Sequence, residues 1–206
     1  MSESRKLHWE HVYLSKDPTE VSWYQRSPRP SLKMIAATGV AADGAIIDVG
    51  GGASTLVDNL LGSGYSDVTV LDITSAALER SRARLGDAAK KATWIEADIL
   101  NFEPNRSYKL WHDRAVFHFL TEKSQQRHYA GLLQKAIEPG GHLILATFGP
   151  AGPQRCSGLP VQRYSTEELS NLLEPAFELQ AQDLEEHKTP GGSVQQFLYT
   201  CWQARV

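Results

Sequence analysis

The sequence predicts an α/β fold, with a mainly parallel sheet, helices on both faces and a C-terminal antiparallel hairpin. Three observations carry this expectation. From about Ser31 onward, apolar runs of strand length alternate with amphipathic stretches of helix length. The first of these strands runs straight into three consecutive glycines, Gly50-Gly51-Gly52. Near the C-terminus, two strand-like runs are joined by a short Pro190-Gly191-Gly192 turn.

In chain order, the segment to about Pro30 is aromatic-rich and expected to be irregular, with Trp9, Tyr13, Trp23 and Tyr24 among Pro18, Pro28 and Pro30. A helix is expected over Ser31–Thr38 and strand one over Ala45–Val49, where branched residues dominate. A helix follows from Ser54, then strand two at Asp67–Leu71. The next helix starts at Thr74, with Thr74 or Ser75 as its cap ahead of Glu79. Strands three and four are Ala92–Glu96 and Tyr108–His112. A helix over Glu122–Ile137 stops at Pro139-Gly140-Gly141, because proline and glycine cannot continue it. Strand five is His142–Thr147, helix Thr166–Leu173 follows, and Phe177–Leu184 and Val194–Trp202 form the hairpin. The expected organisation is an N-terminal segment, residues 1–30, lying over a single domain of residues 31–206.

With 206 residues, 41% hydrophobic and 22% charged, the chain is long enough to bury one substantial core. A formal net charge of −3 gives no electrostatic pull toward nucleic acid or anionic lipid. No apolar run approaches the roughly 20 residues of a membrane span, and no apolar stretch follows Arg5-Lys6 to make a signal peptide. Cys156 and Cys201 are too few for a disulfide framework and too widely spaced for a zinc site, so free thiols in a cytoplasmic protein without a metal are expected.

Ile46-Ile47-Asp48-Val49-Gly50-Gly51-Gly52-Ala53-Ser54 is the most informative stretch. A strand, a glycine turn and a helix N-terminus let the backbone approach a ligand and aim free N–H groups at it. Taken alone, such a turn often only connects strand to helix. Two acids sharpen it. Asp72 ends strand two, 20 residues beyond Gly52, where a carboxylate accepts both ribose hydroxyls. Asp98 follows strand three, within reach of an adenine amino group, and Ile73 and Ile99 stand directly after the two acids as further ligand contacts. Each acid alone is more often a solvated strand end or a cap; three of them after consecutive strands, with a glycine turn after the first, are not so explained. The third glycine of a dinucleotide fingerprint would fall at position 55, which is Thr55, and Asp48 suits an ammonium better than a phosphate. That charge pattern favours S-adenosylmethionine (SAM), which carries an ammonium and a sulfonium but no phosphate.

The Asp48–Ser54 loop, Asp72, the Ala97-Asp98 pair and the Pro139-Gly140-Gly141 turn resemble, in order, the motifs of class I SAM-dependent methyltransferases. The resemblance covers the chain from about Ala45 to the hairpin. It implies a Rossmann-like seven-stranded sheet with the last strand antiparallel, with SAM across the strand tips and S-adenosylhomocysteine (SAH) as product. It also implies that Gly50 and Gly52 line the amino-acid end of SAM, Asp48 its ammonium, Asp72 the ribose and Asp98 the adenine. Gly51 departs from the Cys or Ser frequent there and is expected only to loosen the loop. More narrowly, His8-Trp9-Glu10, Tyr13 and Ser22-Trp23-Tyr24, with the run Trp111–Leu120, resemble a subgroup that includes citrate synthase and elongation-factor lysine methyltransferases.

In that architecture the loop after strand four faces the methyl group. Asp113 is then a candidate to polarise a nucleophile, to hold a substrate amine or to contact the cofactor, and His118 a candidate proton acceptor. Packing of Phe117, His118 and Phe119 onto the sheet is the alternative. Trp23 and Tyr24 are expected either as a lid whose aromatic faces attract cations or as an anchor for the N-terminal segment. Phe117 and Phe148 are candidates for the acceptor pocket, and Arg155 beside Cys156 raises the idea of a reactive thiol. The function expected is methyl transfer to a protein lysine or a small-molecule nucleophile, with an NAD-binding oxidoreductase or a non-catalytic SAM-binding module as alternatives.

Overall fold

The computed structural model describes residues 2–17 and 19–205; the expectation for Pro18 falls outside them. The elements are α1 (Ser2–Ser15), α2 (Arg29–Thr38), β1 (Ile46–Val49), α3 (Leu56–Gly62), β2 (Val68–Asp72), α4 (Ser75–Leu85), β3 (Ala92–Glu96), β4 (Tyr108–Arg114), α5 (Lys123–Ala136), β5 (Ile137–Phe148), β6 (Arg155–Cys156), β7 (Leu159–Pro160), α6 (Thr166–Leu173), β8 (Phe177–Lys188) and β9 (Val194–Ala204). Seven strands form one sheet in the order β3-β2-β1-β4-β5-β9-β8. β1 to β5 are parallel, and β9 lies antiparallel between β5 and β8. β1 and β2 are buried along their whole length, as strands covered on both faces must be. One face packs Leu132 and Leu133 of α5 with Leu169 and Leu173 of α6. The other packs Ile35 of α2, Leu56 and Leu60 of α3, and Leu78 of α4. No helix among the described residues is long and apolar enough to cross a membrane.

This order makes β1 the switch point. β2 pairs with it on one side and β4 on the other, which opens a crevice beyond the carboxyl ends of the strands. Thr74 is the cap of α4, its hydroxyl accepting from the Ala77 N–H at 3.2 Å.

Three expectations are corrected. The N-terminal segment is not irregular to Pro30: residues 2–15 form α1, whose Arg5, Trp9 and Tyr13 recur every four residues and so share one face. α5 ends at Ala136, before the proline, and Pro139-Gly140-Gly141 lies inside β5, where the ladder with β4 skips between Tyr108 and Leu110. β4 continues two residues beyond His112, to Arg114.

Candidate active site

At the switch point, Asp48 and His112 face each other in register on β1 and β4. Both are buried, and His112 Nδ1 donates to Asp48 Oδ1 at 2.7 Å. His112 Nε2 lies 2.9 Å from Oγ of the buried Ser31 on α2. Asp48 Oδ2 is buried with no partner. Above it runs the glycine loop. Gly50 has φ +69°, and a Cβ there would come 2.1 Å from Val116 Cγ2. At Gly51 a Cβ would sit 2.2 Å from Asp48 Oδ2. Gly51 therefore does more than loosen the loop: it makes room for the Asp48 carboxylate.

Asp72 closes the loop from below. Its Oδ2 accepts from the Gly52 N–H at 3.1 Å and its Oδ1 from the Thr74 N–H at 3.0 Å. Burial pushes this carboxyl up to about 6, against the pull of those hydrogen bonds. Asp98 accepts from the Leu100 N–H at 3.0 Å through Oδ1, while Arg5 of α1 meets its Oδ2 at 3.3 Å.

These groups line two adjoining recesses. The larger, about 760 Å³ with its mouth included, holds Asp72, Ile73, Asp98 and Ile99, roofed by Arg5, Trp9 and Tyr13. The smaller, about 560 Å³, holds Asp48, Gly50, Gly51, Ser31, His112 and Tyr24. Trp23, Val49, Gly50 and Arg114 belong to both. The structure thus brings together Asp48, the glycine loop, Asp72, Ile73, Asp98, Ile99, Trp23 and Tyr24.

It does not bring in the other candidates. Asp113 is fully buried and lines neither recess. It accepts from the N–H groups of Val116 (2.9 Å) and Phe117 (3.1 Å) and from the Tyr129 hydroxyl, tying down the turn after β4. A group so enclosed cannot reach a reacting atom, so neither the catalytic nor the cofactor role expected for Asp113 holds. His118 is fully buried between Phe119 and Phe148, with ring centroids 4.6 and 4.7 Å away. Its Nδ1 accepts from the Phe148 N–H at 3.4 Å. Burial, with the nearby Arg114 charge, lowers its pKa to about 3, which makes it a poor proton acceptor. Phe117 stacks on Tyr164 in one core cluster, and Phe148 packs on Phe197 in the other, so packing and not the acceptor pocket claims both. Cys156 does line the larger recess, but burial pushes its thiol up to about 11, the opposite of an activated nucleophile.

Sequence reasoning missed Arg5, and it placed Arg114 in the methyl-facing loop His112-Asp113-Arg114 without giving it a role. The four-residue spacing of Arg5 with Trp9 and Tyr13 was the available signal for the first. For Arg114 the signal was its place two residues beyond His112 on a strand, hence on the same face.

Residues 46–141 match a family model described as a methyltransferase domain. Among curated proteins, the chain is 34% identical over 106 residues to malonyl-[acyl-carrier protein] O-methyltransferase of Anoxybacillus flavithermus, covering 50% of this chain and 39% of that one. It is 23% identical over 189 residues to EEF1A lysine methyltransferase 2 of Danio rerio, covering 84% and 75%. The chain spans about two fifths of the length of the first curated relatives it matches. Among solved structures, a SAM-dependent methyltransferase from Anabaena variabilis superposes with TM-score 0.76 at 16% identity, covering 99% and 95%. The glycopeptide N-methyltransferase MtfA in complex with SAM gives 0.68 at 14% identity, covering 93% and 99%. The domain match from β1 into β5, just under half of the chain, and the likeness to these structures show that the chain has the fold of these methyltransferases.

Proposed function

We propose that this protein transfers the methyl group of SAM to an acceptor and releases SAH. One observation carries the reading: three acids, Asp48, Asp72 and Asp98, stand at the carboxyl ends of adjacent parallel strands around one glycine loop, and the first keeps a buried oxygen without a partner. A buried, unmatched carboxylate oxygen is costly unless something meets it, and an ammonium is the fitting partner. Two recesses meeting at Gly50 suit a ligand with two unlike ends.

The residues present fit the cofactor. Asp48 Oδ2, with Gly50, Gly51 and Gly52, holds the amino-acid end, and the His112–Ser31 pair keeps that carboxylate aimed. Asp72 has three acceptor sites in use of about four, which leaves capacity for a ribose hydroxyl. Ile73 and Ile99 flank the base, and Asp98 accepts from its amino group. Residues 1–30 form a lid: α1 roofs the larger recess, and Trp23 and Tyr24 cover the junction with the smaller. The bound cofactor supplies a methyl group on a sulfonium, a good leaving group. The chain then has to hold the acceptor in line with that methyl and keep water out, and orientation of this kind is worth about 7–11 kcal/mol of barrier. Asp113 and His118 are enclosed, and an acceptor that is already nucleophilic needs no base from the chain. The acceptor is a small molecule or a protein group, and a cytoplasmic setting fits the two free thiols.

The NAD alternative has lost its footing, because Thr55 stands where the third glycine belongs and its hydroxyl donates to the Gln25 carbonyl at 2.9 Å. Calorimetry with SAM, SAH and NAD tests the reading. SAM and SAH bind and NAD does not, and Asp72→Ala weakens SAH at least tenfold. Intact SAH binding in that variant would remove the ribose assignment, and no binding by the wild type would remove the function.

A further inference from the structure

Arg114 ends β4 at the junction of the two recesses, and its guanidinium is only partly satisfied. Nε donates to the Tyr199 hydroxyl at 2.7 Å and Nη1 to the Trp23 carbonyl at 3.0 Å. The guanidinium carbon lies 4.4 Å from the centroid of the Phe197 ring. Nη2 is buried with no partner. All of these neighbours are neutral, and among the described residues Arg114 takes part in no ion pair. Glu185, opposite Phe197 on the β8–β9 ladder, accepts from Gln25 Nε2 at 2.9 Å through Oε1; its Oε2 is buried without a partner, and no ion pair joins it to Arg114. An enclosed cation with no ion pair is costly, and Nη2, whose hydrogens have no acceptor, is left to donate to a carboxylate. The walls beside it are apolar and aromatic: Trp23, Phe119, Leu120 and Cys156.

The recesses hold Arg5 and Arg114 along with Asp48, Asp72 and Asp98, and the sulfonium of the expected reaction adds a positive charge on the side of Arg114. A cationic acceptor such as a lysine ammonium would add another. An acceptor carrying a negative charge cancels one, pairs with Nη2 and fits the apolar walls with the rest of its body. We propose that Arg114 is the specificity determinant of the acceptor pocket, and that the acceptor is an organic acid with an apolar or aromatic body whose carboxylate accepts from Nη2 of this guanidinium.

This inference rests on the methyltransferase reading, and the experiment separates the two. SAH binding to the wild-type protein is measured first, because its loss strikes the function and not the pocket. On the SAH complex, phenylacetate and indole-3-acetate are then titrated against phenylacetamide and indole-3-acetamide. The acids bind at least tenfold more tightly than the amides to the wild type. Arg114→Gln makes acid and amide equal, Arg114→Lys retains part of the preference, and SAH affinity in both variants stays within about threefold, which also shows that they fold. Equal binding of acids and amides to the wild-type complex, or no detectable binding of the acids, overturns the proposal. It is equally overturned if Arg114→Gln weakens SAH more than tenfold while leaving 5′-methylthioadenosine, which lacks the amino-acid end, unaffected. The arginine would then serve the carboxylate of the cofactor.

Discussion

Replacing Asp113 by alanine separates a structural carboxylate from a catalytic one. The side chain accepts from three buried donors: the N–H groups of Val116 and Phe117 and the Tyr129 hydroxyl. Leaving a buried donor unmatched costs about 1–3 kcal/mol, so three cost about 3–6 kcal/mol after some relaxation. Against this stands the strain of keeping the carboxylate ionised. Burial raises its pKa from 3.8 to about 6, a difference of about 3 kcal/mol by linkage once the group is fully ionised. At pH 8 the net loss is therefore about 0–3 kcal/mol. The pH dependence carries a definite sign. Because the folded pKa is raised, Asp113 contributes stability in full below about pH 4, and that contribution is lost as pH rises through 6. The alanine variant has no such term. Its deficit against the wild type is thus larger at pH 5 than at pH 8, by about 1 kcal/mol. Urea unfolding followed by tryptophan fluorescence at both pH values measures this, with SAH calorimetry as the functional control. A variant with unchanged stability at both pH values and collapsed methyl transfer would refute the reasoning and return Asp113 to the chemistry.

Three further outcomes follow from the same geometry. Gly51→Ala drives a methyl into Asp48 Oδ2, 2.2 Å away, so SAH affinity falls about tenfold or more and thermal melting shows a loss of about 1–3 kcal/mol; unchanged SAH binding would mean that the carboxylate can move aside freely. His118, with a pKa of about 3, stays neutral above pH 5, so His118→Gln leaves the shape of the kcat/KM profile between pH 5 and 9 as it is; a lost inflection near 6.5 would contradict its burial. Asp72, pushed up to about 6, protonates as pH falls below that value, and SAH affinity drops about tenfold from pH 7 to pH 5; calorimetry on Asp72→Asn should show a weaker ligand with no such slope.

The fold was legible because its signals are periodic and local. Branched runs of five residues, glycine turns and one Thr74 cap mark the strands and helices of an α/β sheet almost without reference to their neighbours. The cofactor side was legible for a related reason. Glycine loop and acids each sit at the end of a strand, and strand ends converge wherever consecutive strands are parallel. What stayed hidden depended on contacts between distant segments. Nothing near Asp98 in the chain announces Arg5, 93 residues away, which pairs with it. The helix α1 was obscured by its aromatic content, although Arg5, Trp9 and Tyr13 stand four apart.

The acceptor side turned on a boundary error of two residues. If β4 stops at His112, then Asp113 and Arg114 belong to a loop, and any of them can face the methyl group. With β4 running to Arg114, side chains alternate, and the strand assigns each residue a face. His112 turns toward Asp48 and Ser31, Asp113 toward Tyr129 of α5, and Arg114 back toward the cleft. The same alternation that removes the carboxylate from the pocket puts a guanidinium in it. A pocket with an acid at that position would welcome an amine; the half-satisfied cation and apolar walls here are what the proposed acid acceptor rests on.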